Sequence, residues 1–491
     1  MKRPEPFPDL NWSEDRTEMF ADETSALWAQ YLRKLPGLPV AHDHTPEQVR
    51  RDLARVIPDD PMDNDDLFAH LSELVFGYST QTGHGGFMGY ISGAGTVPGG
   101  PASMLAAGIN QNVGGWPLSP GATEIETQLL NWFAERLGMP DTTTGAFVTG
   151  GTTANLTALT VARDALADWK VRRDGVRGGP PMAVYASADA HDSIHRAADL
   201  LGLGSSAVRG IPVDDRFRMC PEAVEDAIEH DISAGVRPLC IVGTAGTTQL
   251  GAIDPLSALA DLARRYDCWF HVDAAYGGSA AMVDDLKPLF SGIERADSVI
   301  CDPHKWLNMP ISSSIVLIRH PQHHLAAFTE EPDYLVVNDG VGEDMMWRYQ
   351  WTPYFSRPFD ALPTWVSLLA HGWSAYSRRI SHDIELTRWL QHLISDNDEL
   401  ELLAEPELSV VCFRYVPPVL PDKVGSGTYL DGLNQGILHA VQRAGLVYPS
   451  HAVVRERYAI RACLISYRTE AEHVESLVDE VIAHGRRLHD A

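Results

Sequence analysis

A single lysine follows the strand-like run SVIC: in the stretch DPHKWLNMP, Lys305 comes after His304 and before a tryptophan, with prolines on both sides. Burial disfavours the charged form of an amine and frees its lone pair, which is what covalent chemistry on a carbonyl needs. A surface lysine at a strand end would look the same in isolation, so the neighbouring motifs decide. Three other runs end in suggestive groups. AFVTGGTTANLTALTVAR reads as a strand, a glycine turn at Gly151 and Thr152, and a helix whose free N–H groups suit a phosphate. CWFHVDAAYGG ends an apolar strand at Asp273, either a capping carboxylate or the counter-ion of something cationic. YASADAHDSIHRAADLLGLG carries His191 and His195 four apart, a spacing open to metal ligands on a helical face and to a ring-stacking or structural histidine. The GxGxxA match in GLGSSA follows a helical pattern, so Gly202 and Gly204 read as a helix end.

One ligand would use all four runs. Pyridoxal 5′-phosphate offers a phosphate for the glycine turn, a pyridinium nitrogen that needs a permanent carboxylate, a flat ring on which an imidazole can stack, and an aldehyde that condenses with a lysine. The separation of about 32 residues between Asp273 and Lys305, with the order of the motifs, makes the set specific. No metal is expected.

These groups must be positioned by the elements between them. From about Gly145 to Arg319 the short apolar runs AFVTG, AVYAS, PLCIVG, CWFHVDAA, SVICD and SSIVLI alternate with helical stretches such as PLSALADLARRYD. That alternation indicates an α/β fold with a mostly parallel sheet covered on both faces, and such sheets bind ligands beyond the carboxyl ends of their strands. Residues 1–78 read as a helical segment, in which HTPEQVRRDLARVI has Thr45 at an N-cap, Pro46 at the first helical position and Gln48 completing a capping box. Residues 79–377 form the large ligand-binding domain, which begins with a glycine- and proline-rich stretch of irregular backbone up to about residue 125. Residues 378–491, with a long helix, the strands LSVVCFRYV and YAIRACLISY and a final helix, read as a small α+β domain.

The length of 491 residues calls for more than one core. A formal charge of −27, from 39 Lys and Arg against 66 Asp and Glu, argues against nucleic-acid or anionic-membrane partners, which reward clustered cations. Six scattered cysteines without a CxxC pair read as reduced core thiols. With no apolar signal core in MKRPEPFPDLNWSEDRTEMF and no long apolar run, a soluble, cytoplasmic protein is expected.

From GHGGFMGY onward, the motifs SPGATEIET, TGGTTANLTAL, AHDSIHRAADLLG, GTAGTTQLGAIDPL, HVDAAYGG and DPHKWL resemble the group II pyridoxal-phosphate amino-acid decarboxylases, which act on aromatic amino acids, glutamate, tyrosine and diaminobutyrate. The resemblance implies a fold-type I enzyme with a seven-stranded, mostly parallel sheet. It also implies a homodimer with active sites near the subunit interface and the helical segment involved in dimer formation. It makes Lys305 the residue bonded to the cofactor aldehyde, His304 with Gly151 and Thr152 the phosphate contacts, and Asp273 the partner of the ring nitrogen. Ala275 would lie beneath the ring, His191 would stack above it and assist protonation, and Thr247 would approach the phenolic oxygen. Arg461 would receive the substrate α-carboxylate, the bland alternative being a strand-edge charge. Tyr334, in EEPDYLVVNDG, would protonate Cα from a mobile loop; relatives with phenylalanine there tend to form an aldehyde. Phe87, Tyr90 and Trp116 would form an aromatic wall, favouring an aromatic L-amino acid such as tryptophan, tyrosine, phenylalanine or DOPA. Glutamate or aspartate, then diaminobutyrate, are the rival substrates, and transamination or aldehyde synthesis the rival reactions.

Overall fold

Seven strands make the sheet that carries the candidate groups: β1 (Thr144–Val148), β2 (Met182–Ser187), β3 (Val208–Ile211), β4 (Arg237–Thr244), β5 (Trp269–Asp273), β6 (Ser298–Cys301) and β7 (Ser314–Ile318). The computed structural model describes residues 10–54, 57–329, 347–419 and 426–490. Spatial order is β1-β7-β6-β5-β4-β2-β3. β7 pairs antiparallel with both neighbours, and the other pairings are parallel. Strands β1, β2, β4, β5 and β6 therefore end at one edge, which is where the motifs must meet. Their residues are buried almost throughout, as expected of strands covered on both faces.

The six apolar runs correspond to six of these strands, while β3 escapes because Arg209 and Gly210 interrupt it at the sheet edge, beside β2 alone. One face is covered by the helix Gly151–Leu166, whose Ala154, Ala158 and Ala162 pack into a buried cluster with Val184, Val242 and Ile300. The opposite face meets Leu129 and Phe133 from the helix Pro120–Arg136 and Leu256 and Leu259 from the helix Leu256–Arg265. The second sheet, ordered β10-β11-β9-β8, contains β8 (Leu400–Leu402), β9 (Val410–Tyr415), β10 (Ser450–Val454) and β11 (Arg457–Cys463), all antiparallel. It is the small α+β layer expected near the C-terminus. The expected junction at residue 377 falls inside a continuous helix, Trp373–Ser395. Near the N-terminus the capping box forms as read: Gln48 N–H donates to Thr45 Oγ1, and Thr45 N–H donates to Gln48 Oε1.

Lys305 rides on the excursion between antiparallel neighbours β6 and β7. Hydrogen bonds from Lys305 N to Asp302 O (2.9 Å), Met309 N to Pro303 O (3.1 Å) and His304 N to Ser313 O (3.2 Å) fold that excursion on itself. The glycine-rich stretch braces it from outside. Gly93 N donates to His304 O, Ala94 N to Asn308 Oδ1 and Thr96 N to Asn308 O. A Cβ on Gly93 would lie 2.5 Å from Lys305 O and 2.8 Å from His304 O, so this approach requires glycine. Trp306, 1 % exposed, is anchored behind the lysine by stacking on Tyr276 at 5.0 Å and by donating Nε1–H to Asp383 Oδ2 at 2.8 Å.

Candidate active site

A cavity of about 260 Å³ opens at the carboxyl edge of the sheet. Its wall brings together Gly151, Thr152, His191, Asp273, Ala275, His304 and Lys305, with Asn155, Ser193, Thr244, Thr248 and Asp302. They come from the ends of β1, β2, β4, β5 and β6 and the segments after them, so the convergence follows from the parallel topology.

Asp273, 7 % exposed, ends β5 as a carboxylate held by two donors. Ala275 N–H reaches Oδ1 at 3.1 Å and Asn155 Nδ2 reaches Oδ2 at 2.9 Å. Asn155 also donates to Ser193 Oγ at 2.8 Å, leaving its Oδ1 to accept from His271 Nε2 at 2.8 Å. That assignment puts the His271 proton on Nε2, so Nδ1 accepts from Ser298 Oγ (2.8 Å), which in turn accepts Trp269 Nε1–H (2.8 Å). Burial pushes the His271 imidazole down to about 4, so it is neutral at physiological pH despite Asp273 nearby. At the other end Ser193 Oγ lies 2.8 Å from His191 Nδ1, and Ser193 N–H donates to the same nitrogen at 3.1 Å. Nδ1 of His191 is thus an acceptor, and a neutral ring carries its proton on Nε2.

The lysine departs from the simple expectation that burial frees its lone pair. Burial does pull the Lys305 ammonium down, but Asp302 Oδ2 at 3.1 Å and the more distant Asp273 outweigh it and raise the pKa above the ordinary value. His304 Nδ1–H donates to Ser313 O at 2.6 Å, while its Nε2 lies 3.8 Å from Asp302 Oδ2. Burial lowers its pKa, with Asp302 opposing, so the ring is mainly neutral.

Two buried polar atoms on the cavity wall, Asp302 Oδ1 and Thr244 Oγ1, have no hydrogen-bond partner among the described residues. Together with the helix start at Gly151, the paired Asp273 carboxylate and the amine, they are the donor and acceptor set of a polar, anionic, ring-bearing ligand. The residues fit pyridoxal 5′-phosphate.

Several expected site residues lie elsewhere. Thr247 is 1 % exposed and its Oγ1 accepts from Ala252 N–H at 3.1 Å; its neighbour Thr248 lines the cavity instead. Arg461 directs four hydrogen bonds into the protein: to Gln249 O (3.1 Å), Thr248 O (2.6 Å), Tyr90 O (2.9 Å) and Ser450 Oγ (3.2 Å). Here it is a staple between the small sheet, the turn after β4 and the glycine-rich stretch. The aromatic wall does not assemble in this cavity. Phe87 is buried against Tyr448, with ring centroids 5.6 Å apart, Tyr90 is 64 % exposed, and Trp116 Nε1–H donates to Glu124 at 2.8 Å. A protein packs an aromatic side chain wherever a groove is available, and composition gives no hint of which groove. Tyr334 lies outside the described residues. His191 precedes the helix Ser193–Leu200 that carries His195, so the two do not share a helical face, and among the described residues no cluster of His, Cys, Asp and Glu could hold a metal.

Sequence reasoning passed over Asn155, His271 and Asp302. Period-two spacing in HVD places His271 on the same strand face as Asp273, and the i, i+4 spacing places Asn155 above Gly151 on one helix face; both signals were available.

The comparisons agree with this geometry. The model of the pyridoxal-dependent decarboxylase conserved domain matches residues 46–416. An aromatic-L-amino-acid decarboxylase of Bacillus atrophaeus is 31 % identical over 97 % of this chain and 96 % of its own length. Tyrosine decarboxylase 3 of Petroselinum crispum is 29 % identical over 91 % of this chain and 87 % of its own. The crystal structure of Oryza sativa TDC with PLP and tryptamine superimposes with a TM-score of 0.91 at 25 % identity, covering 98 % of this chain and all of that one. With the lysine, carboxylate and helix start facing one cavity, and a family match over most of its length, this chain belongs to the pyridoxal-dependent decarboxylases.

Proposed function

We propose that the protein converts an aromatic L-amino acid to its amine and CO₂, using pyridoxal 5′-phosphate held at the cavity beside Lys305. The observation that carries the reading is the meeting of Lys305, Asp273 and the start of the helix Gly151–Leu166 on one cavity wall. The aromatic choice draws on the relatives, named as aromatic-L-amino-acid and tyrosine decarboxylases.

When bound, the cofactor supplies an electron-withdrawing ring that accepts the electron pair released as CO₂ departs. Lys305 would hold it through its aldehyde, at the place where a substrate amine binds. Asp273, oriented by Asn155 and Ala275, would pair with the ring nitrogen and favour its protonated form. His191, with Nδ1 engaged by Ser193, presents Nε2–H to the face of the ring. The first residues of the helix offer N–H groups to the phosphate, with Gly151 close enough to Asp302 that no side chain would fit. Tyr334 delivers a proton to Cα, which favours release of an amine over formation of an aldehyde. Arg461 keeps one N–H beyond its four protein bonds, so its contribution to the carboxylate is at most a single hydrogen bond.

The working unit is a homodimer. Ile311, on the cavity rim, is 76 % exposed, and Met104, Leu105 and Ile109 of the helix Gly99–Ile109 are 47–58 % exposed, with Leu369 on the adjoining helix Ala361–His371 at 66 %. Apolar groups so placed are suited to cover by a second subunit. Sedimentation would give one species of twice the chain mass.

The decisive experiment incubates the enzyme with each of the twenty amino acids and measures CO₂ and amine. Stoichiometric amine from an aromatic substrate is the expected result. Keto acid, aldehyde with ammonia, or amine from glutamate in preference would replace the reading. Tyr334→Phe is expected to retain cofactor colour while losing most amine output, and an unchanged yield would remove Tyr334 from the reaction.

A further inference from the structure

Asp302 stands where an anion is expected to bind. The residue is 1 % exposed; Oδ2 faces Lys305 Nζ at 3.1 Å, and among the described residues Oδ1 has no hydrogen-bond partner. A Cβ built on Gly151 would meet Oδ2 at 2.8 Å and Oδ1 at 3.4 Å, so the carboxylate presses against the first residue of the helix. A phosphate cradled by that helix start arrives beside a negative charge.

The surrounding charges do not offset it. Among the described residues the cavity wall carries the carboxylates Asp273 and Asp302, the ammonium Lys305, the imidazoles His191 and His304, and no arginine. Asp273 faces the ring nitrogen and Lys305 is consumed by condensation with the aldehyde. His304 has its proton committed to Ser313 O and presents Nε2, a lone pair, 3.8 Å from Asp302. Cys301, the preceding residue, is held neutral by burial, its thiol pushed up to about 12. The opening turn of the helix, Gly151 to Ala154, has no charged side chain, and neither has the segment Ile311–Ser313. Like charges a few ångströms apart in a buried site cannot both stay fully ionised.

We propose that Asp302 and the cofactor's phosphate are joined by one shared proton, taken up from solvent on binding and placed between a phosphate oxygen and Asp302 Oδ1. This rests on the reading of Gly151 and Thr152 as the phosphate cradle. No bond to phosphorus forms or breaks. A phosphomonoester loses its second proton near pH 6 or so, and in the free protein the Asp302 carboxylate faces the Lys305 ammonium at 3.1 Å, so above about pH 6 the complex holds one more proton than its separated parts. Affinity therefore falls as pH rises, by up to about tenfold per pH unit. Protons exchanged during condensation with the lysine are common to pyridoxal 5′-phosphate and pyridoxal, which lacks the phosphate, and cancel in the ratio of their affinities.

The test uses full-length enzyme stripped of cofactor and titrated with each compound from pH 6.5 to 9, read by visible absorption and tryptophan quenching. In the wild type the preference for pyridoxal 5′-phosphate over pyridoxal is expected to shrink with rising pH, approaching tenfold per unit. In Asp302→Asn, which offers an amide hydrogen in place of the shared proton, the preference is expected to be flat and, at pH 8.5, at least tenfold larger. A merely structural role for Asp302 would weaken both compounds alike. An unchanged slope in Asp302→Asn overturns the inference while leaving the cradle intact. Equal affinity for the two compounds at every pH overturns the cradle reading itself. Should the variant not fold, ³¹P spectra of the wild-type holoenzyme decide: a resonance held at the monoanion position to about pH 8 supports the shared proton, and a dianion signal from pH 6.5 upward overturns it.

Discussion

Asn155 and Asp273, 118 positions apart in the chain, are joined by a 2.9 Å hydrogen bond from Nδ2 to Oδ2, and the carbonyl of the same amide accepts from His271. One side chain thus orients the Asp273 carboxylate and, through Ser193, the His191 imidazole on the wall of one cavity. The chain of bonds runs from His191 to Trp269 with donor and acceptor alternating, so no member can turn over without leaving a buried group unpaired.

Asn155→Ala is expected to fold, bind cofactor and lose roughly tenfold to a hundredfold in CO₂ release, the usual range for removing a buried partner of a functional carboxylate. Asn155→Asp should be worse, since it sets a second carboxylate beside the first. Steady-state rates beside the visible spectrum check this; normal turnover in Asn155→Ala would show that Asp273 is held adequately by Ala275 alone.

His271 is expected to remain neutral, with its proton on Nε2, from pH 8 down to about 4, where ¹⁵N spectra should show its first titration. Its folded pKa lies below its unfolded value near 6.5 or so, so its contribution to stability is whole above that value and is lost as pH falls through about 4. A charged ring at pH 6 would reverse the proton assignments along the network.

Lys305 is expected to be an ammonium at neutral pH because Asp302 and Asp273 hold its pKa up. The rate of its condensation with pyridoxal should rise about tenfold per pH unit until that pKa is passed. Removing the anion at 3.1 Å in Asp302→Asn should shift the whole profile to lower pH, as stopped-flow absorption would show.

Glu126 accepts from Arg357 Nη2 at 2.7 Å and from Phe147 N–H at 3.2 Å, and Arg348 donates to the neighbouring Thr127; Glu126, Arg348 and Arg357 are each 2–3 % exposed. Burial works against the Glu126 charge, but the two guanidinium groups prevail and lower its pKa. Glu126→Ala would leave buried cations without a partner and should cost about 3–5 kcal/mol of stability. Because the cluster fixes the end of β1 that leads into the Gly151 turn, cofactor affinity should fall as well. Denaturant unfolding with and without cofactor separates the two effects.

The large sheet was legible because its parallel strands are buried on both faces and read as continuous apolar runs; β3, at the edge with Arg209 and Gly210 in it, was not. Lys305, Asp273, His191 and the Gly151 turn were legible because each terminates such a run, and the topology brings those ends together. Of the adjacent threonines, Thr247 accepts from Ala252 N–H and Thr248 lines the cavity, a division set by turn geometry that the residue types do not carry. The lysine's electrostatics failed for another reason: the main opposing charge, Asp302, stands three residues before it in the same run and was passed over, and Asp273 adds to it from another strand. Phe87, Tyr90 and Trp116 were grouped by chemical kind, and their surroundings, with Phe87 stacked on Tyr448, Tyr90 donating its backbone N–H to Ser450 Oγ and Trp116 bonded to Glu124, depend on how the small sheet and the helix Pro120–Arg136 dock.

The absence of any side chain on Gly93 has a bearing on redesign. Since the peptide backbone there is pressed against the carbonyls of His304 and Lys305, efforts to retune amino-acid preference by mutating this stretch face a hard boundary: any bulk added at position 93 would push the reactive amine out of alignment and silence the enzyme for every substrate at once.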